Sequence, residues 1–144
     1  MTAPIGAQEQ ILSKIKNVLL HVLPPGWDYA QVKHSALGDY AETAAIVQVV
    51  AGPIVPWEPP AQISELFGEL RAASAAPGTG TWLTGVVEIN HPESYQFRFN
   101  ATKQPEFRGD PPETASADEL RRFPRDEDKI PDWLGGGQAG PDGA

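Results

Sequence analysis

The chain has 144 residues, 40% of them hydrophobic, with four Trp and no Cys, which suits one packed domain and excludes wholesale disorder. Without cysteine there is no disulfide, no thiolate metal site and no cysteine nucleophile. The formal charge of −8 argues against nucleic acid and anionic membranes, which attract surplus Lys and Arg; a basic protein is the electrostatic complement, although the same charge also serves plain solubility.

From Ala7 to Leu23 the apolar residues Ile11, Ile15, Val18 and Val22 recur every three or four positions, joined by Leu12 and Leu19. This predicts an amphipathic helix, which Pro24-Pro25-Gly26 ends. Trp27 to Leu37 reads as a strand, Gly38-Asp39 as a turn and Tyr40 to Val50 as a second strand rich in β-branched residues, so the two form an antiparallel hairpin. The segment 51–60 holds four prolines. That excludes a central strand and leaves Ile54-Val55 at most an edge.

Ile63, Leu66, Phe67 and Leu70 form the stripe of a second helix over 61–75, with Glu65 and Arg71 on its wet side. After a loop at Ala76-Pro77-Gly78-Thr79-Gly80, residues 81–90 are apolar on both sides, as in the middle of a covered sheet. His91-Pro92-Glu93-Ser94 turns the chain into a strand whose Tyr95, Phe97 and Phe99 alternate with Gln96, Arg98 and Asn100. The order α-β-β-α-β-β predicts an α+β two-layer domain with an antiparallel sheet, spanning residues 1–134. A short helix over 116–123 and the anchor Ile130-Pro131-Asp132-Trp133-Leu134 close it. Phe123, Ile130 and Trp133 are expected to strap the sheet's edge against Tyr95, Phe97 and Phe99. The Gly-rich stretch 135–144 has nothing large to bury and reads as a disordered tail.

No catalytic chemistry is legible. His21, His34 and His91 lack metal-ligand spacing and read as structural or surface residues. Gly78-Thr79-Gly80-Thr81 follows a helix and opens a strand, the reverse of a phosphate cradle, and reads as a turn. The carboxylates crowd the C-terminal third, in loop and helix-surface contexts where solvation is the default. Trp57 and Trp133 stand out because neighbouring prolines stiffen them and acidic residues flank them, a pattern suited to protein contact as well as to lids on the chain's own sheet. No metal or cofactor site is expected; the candidate partner-binding residues are Trp57, Glu58, Asp39, Glu106, Asp132 and Trp133. Met1 to Ala7 lacks the basic and apolar regions of a secretion signal, so the expected location is cytoplasmic.

The order of parts resembles the YezG-like family of bacterial antitoxins or immunity proteins, particularly its actinobacterial relatives. The matching pieces are the opening helix with Leu23-Pro24-Pro25-Gly26-Trp27, the helix segment Glu65-Leu66-Phe67-Gly68-Glu69-Leu70-Arg71, and Gly80-Thr81-Trp82-Leu83. Tyr95 to Phe99, Pro105-Glu106-Phe107, Leu120-Arg121-Arg122-Phe123-Pro124-Arg125 and Ile130-Pro131-Asp132-Trp133-Leu134 complete them. One departure is Asn100-Ala101-Thr102-Lys103, where relatives tend to be acidic. The resemblance implies a non-catalytic protein that binds and sterically blocks a cognate secreted toxin. A toxin of the NAD-glycohydrolase type (the tuberculosis necrotising toxin class) is the candidate partner. Two other readings stay open: a non-catalytic accessory domain of a toxin or secretion module, and a small enzyme working through carboxylates.

Overall fold

Prolines and glycines divide the chain into the elements of an α+β domain, and the computed structural model, which describes residues 6–135, shows how they assemble. Helix α1 spans Ala7–Val22 and buries Ile11, Ile15 and Leu19. Strands β1 (Trp27–Leu37) and β2 (Tyr40–Val49) form the hairpin, joined at Gly38, whose φ of 65° is the left-handed conformation that glycine tolerates. A short strand β3 (Ile54–Trp57) precedes helix α2 (Ala61–Ser74). Strands β4 (Thr84–Asn90) and β5 (Ser94–Asn100) follow, then helix α3 (Ala115–Arg122) and a 3₁₀ turn at Glu127–Lys129.

The sheet is antiparallel throughout, in the order β3-β2-β1-β4-β5. It has five strands rather than four, because Ile54–Trp57 pairs with β2 as an edge strand; Pro56, which lacks an N–H, is tolerated there. The register sets Val32 beside Ala45 and Val87, and Val87 beside Phe97. These residues share the face on which α1 and α2 lie, packed by Ile15, Leu19, Ile63, Phe67 and Leu70. Lined by side chains at helical and strand periods, this is the main core.

A second apolar cluster lies on the opposite face, at the end of the sheet where β1 turns into β2. Leu37, Leu83, Ala115 and Leu134 are buried there, with Phe107, Leu120, Ile130 and Trp133 partly buried around them. The C-terminal anchor therefore has a different receiver from the expected one: it packs on Leu37 and Leu83, not on Tyr95, Phe97 and Phe99. The most deeply buried anchor residue is Leu134 at 0% exposure. Trp133 is half-buried and donates its Nε1–H to the Thr102 carbonyl at 2.7 Å. Phe123 covers neither aromatic strand nor edge; its ring lies 4.9 Å from the Arg71 guanidinium carbon.

Arg71 also departs from expectation. It follows Phe67 by four positions and so borders the apolar stripe of α2, where α3 closes over it and leaves it 4% exposed. Its guanidinium pairs with Glu119 of α3, itself fully buried, and donates to the Trp82 carbonyl at 2.8 Å. The second Glu119 contact to Arg71 measures 3.0 Å, and Glu119 also accepts the Gly38 N–H at 2.9 Å. Glu119 is thus the exception among C-terminal carboxylates read as solvated. Arg125, 9% exposed, extends the arrangement by donating to the Thr81 carbonyl at 3.0 Å.

The Gly78-Thr79-Gly80 loop is a turn, as expected, and its glycines have a mechanical reason. Gly80 has a φ of 70°, and a Cβ there would sit 2.6 Å from Arg125 Nε. The Asp126 N–H donates to the Gly78 carbonyl at 2.6 Å, so the returning chain lies directly on this loop. Among the described residues no helix is long and apolar enough to cross a membrane. The stretch read as a disordered tail lies, from residue 136 on, outside the described residues.

Candidate partner-binding surface

Strand alternation sends Lys33 and Ser35 of β1, and Glu42 and Ala44 of β2, to the sheet face away from α1 and α2. The loop after β5 returns across this face, and Glu42 holds it there. Its carboxylate accepts the N–H groups of Arg108 at 2.7 Å and Gly109 at 2.9 Å, and the Tyr40 hydroxyl at 2.6 Å. The Tyr40 hydrogen bond and these backbone donors hold the Glu42 carboxyl below its ordinary range. Tyr40 also packs edge-on against Phe107, with ring centroids 5.0 Å apart.

The loop leaves a hollow of about 220 Å³ lined by Lys33, Ser35, Glu42, Ala44, Glu106, Phe107 and Arg108. A second hollow of about 230 Å³ shares Ala44 and Arg108 with the first and adds Pro56, Trp57 and Glu58. Together they make one open trough from the returning loop to the β3 edge. Its charged wall is mixed: Glu42, Glu58 and Glu106 against Lys33 and Arg108. Glu106 lies 3.4 Å from Lys33, with its side chain 77% exposed, so the pair is a weak surface contact.

Of the candidate residues, the trough brings together Trp57, Glu58 and Glu106. Trp57 is half-buried, packing one side against the main core while lining the trough. Asp39, at the β1–β2 turn, lines a separate hollow of about 380 Å³ with Asp118, Arg121 and Arg122. It lies 3.8 Å from Arg122, an exposed pair. Asp132 is exposed on the last helical turn, and Trp133 beside it belongs to the second cluster. Glu42 and Arg108 escaped the sequence reading. Glu42 is one polar residue at an outward strand position, and only the β1–β2 register shows that it faces Lys33's side of the sheet and meets a loop 66 residues away.

Further along the same face, Glu88 accepts the Tyr29 hydroxyl at 2.7 Å and pairs with Arg98. Burial, then Glu88, push the Tyr29 phenol up to about 12. No group of three or more His, Cys, Asp and Glu side chains arranged to hold a metal ion occurs among the described residues. No family model and no curated protein matches this sequence.

Proposed function

We propose that this protein is an immunity protein or antitoxin that binds a cognate bacterial toxin, possessing no chemistry of its own, and blocks it sterically. The resemblance to YezG-like antitoxins supplies the class. The observation that carries the reading is the trough, where the proline-flanked Trp57 and the acidic Glu58 and Glu106 line one open surface. Pro56 and Pro59 stiffen the Trp57 segment, so docking there loses little conformational entropy, and a half-buried Trp is a common interface anchor. The exposed carboxylates Glu58 and Glu106 and the net charge of −8 suit a toxin with a basic face. A stable complex requires about 800 Å² from each partner, so the contact would extend beyond the trough across the open sheet face. A secreted NAD glycohydrolase is the proposed toxin, on the strength of the resemblance alone.

The reading predicts a toxin gene beside this one, and the test is co-expression of the two. Growth is expected to be rescued, and the purified pair to form a complex at sub-micromolar concentration. Trp57→Ala is expected to weaken that complex by about tenfold or more, the scale of an interface hot spot. Failure of the purified pair to associate at micromolar concentration sinks the proposal.

A further inference from the structure

The two edges of the sheet are finished differently. At one edge β3 has four residues and contains Pro56, a short interrupted strand that gives another chain little to pair with. At the other edge β5 has seven residues, Ser94-Tyr-Gln-Phe-Arg-Phe-Asn100, with neither proline nor glycine. All are exposed except Phe97, which is half-buried. Alternate residues of β5 turn their N–H and C=O groups away from β4, and no other strand among the described residues receives them.

The side chains of β5 are also unusual for an edge. Tyr95, Phe97 and Phe99 lie on the helix side of the sheet, with Tyr95 47% and Phe99 41% exposed. Phe97 stacks on Phe99 at 6.0 Å and 7°, and Tyr95 meets Phe97 edge-on at 5.8 Å. Lys16 of α1 overhangs Tyr95 at 5.1 Å from the ring centroid. The row is therefore an ordered aromatic ledge beside α1, only partly covered by it.

We infer that this edge joins a second copy of the chain, β5 pairing antiparallel with β5 across a two-fold axis at Phe97. The strand's own pattern suits this occupant. Centred on Phe97, Tyr95 faces Phe99 of the second copy, Gln96 faces its Arg98, and Ser94 faces its Asn100. Aromatic meets aromatic on one side, polar meets polar on the other, and no like charges oppose each other. An isologous interface needs this self-complementarity, and β5 has it without opposing like charges. Arg98 is already drawn toward Glu88 of its own chain, which takes its charge away from the axis. The seam is about 24 Å long at about 3.4 Å per residue, with three rings from each copy in one row. The result is a continuous ten-stranded sheet. The trough lies toward β3, at the far edge, so this inference stands or falls separately from the toxin reading.

The experiment is sedimentation velocity on the full-length chain across micromolar concentrations, with far-UV circular dichroism as a check on folding. A dimer is expected, and Phe97→Arg, which sets two cations against each other on the axis, is expected to make it monomeric. A register-specific pair keeps the test valid if that variant fails to fold. Gln96→Arg opposes Arg98 of the second copy at two symmetric positions and is expected to weaken the dimer about tenfold. The exchange Gln96→Arg with Arg98→Gln restores an Arg-to-Gln match and is expected to recover wild-type association. A chain that is monomeric throughout overturns the inference. So does a dimer indifferent to Gln96→Arg, or an edge that becomes protected only when a toxin is added.

Discussion

The main core is filled by side chains that arrive at regular periods, whereas the second cluster is assembled from single residues brought together from distant stretches. Ile11, Ile15 and Leu19, then Ile63, Phe67 and Leu70, descend from two helices onto alternating strand positions. Leu37, Leu83, Ala115 and Leu134 come from a strand end, the approach to β4, the start of α3 and the last helical turn. The first is held mainly by hydrophobic burial. The second is flanked by the buried ions Arg71, Glu119 and Arg125, whose hydrogen bonds fix how α3 and the returning chain sit on the sheet. The difference separates a core that specifies the layers from a clasp that specifies where the C-terminal third goes.

The largest loss is expected in the main core. Phe67 is fully buried and stacks on His34, with ring centroids 5.2 Å apart and planes 6° from parallel. Phe67→Ala removes that contact and leaves a cavity, and is expected to destabilise by about 4 kcal/mol. Urea denaturation checks it. A loss below about 1.5 kcal/mol would mean that the helices collapse into the space and that the core is not close-packed.

Glu119→Gln tests the clasp in the same assay. The substitution keeps the shape and one acceptor oxygen but leaves Arg71 buried without a counter-charge. The expected loss is about 3 kcal/mol. The loss should be accompanied by faster proteolysis after α2, because α3 is released while the two-helix core remains. Arg71→Met with Glu119→Leu removes both charges and is expected to recover much of the stability, since an apolar pair of similar volume avoids the desolvation penalty.

His34 stands at the joint between the two regions. Its Nδ1 lies 2.8 Å from Thr43 Oγ1. Burial, and after it the Arg71 charge, lowers its pKa from 6.5 to about 4. The unfolded chain therefore takes up a proton in that window while the folded chain does not. Stability is full above about pH 6.5 and falls as the pH drops toward about 4, by roughly 3 kcal/mol from this residue alone. His34→Gln is expected to flatten the slope over that window in denaturation curves taken at successive pH values. An unchanged slope would assign the acid sensitivity to other groups.

The same contrast explains what could be read from the residues in order. Period and punctuation located both long helices, the hairpin and the aromatic strand, because Pro24, Gly38 and the prolines of 53–60 mark the element boundaries. The sequence puts Arg71 on the wet side of α2 because a charged residue on the border of a helical stripe is ordinarily solvated, and its counter-charge lies 48 residues away. The receiver of the C-terminal anchor is hidden in the sequence for a related reason. Tyr95, Phe97 and Phe99 were the obvious apolar face, yet Leu37 and Leu83 look like ordinary ends of strands until the sheet order is known. Of the candidate contact residues, Trp57 stands out in the sequence by its flanking prolines. The trough around it does not, since it depends on Glu42 fastening a loop from far along the chain.

The smallest expected effect concerns the most conspicuous residue of the anchor. Trp133 is large, yet it is only half-buried and its specific contribution is one hydrogen bond to the Thr102 carbonyl. Trp133→Phe keeps most of the apolar contact and lets water reach that carbonyl, so a loss of about 1 kcal/mol or less is expected. Leu134 is smaller but fully enclosed by Leu37, Leu83 and Ala115, and Leu134→Ala is expected to lose about 2 to 3 kcal/mol. Chemical denaturation of the two variants side by side decides the matter. If the tryptophan variant loses more, the clasp is held from its rim and not from its centre, and in the anchor it is the half-buried residue that fastens and the buried one that covers.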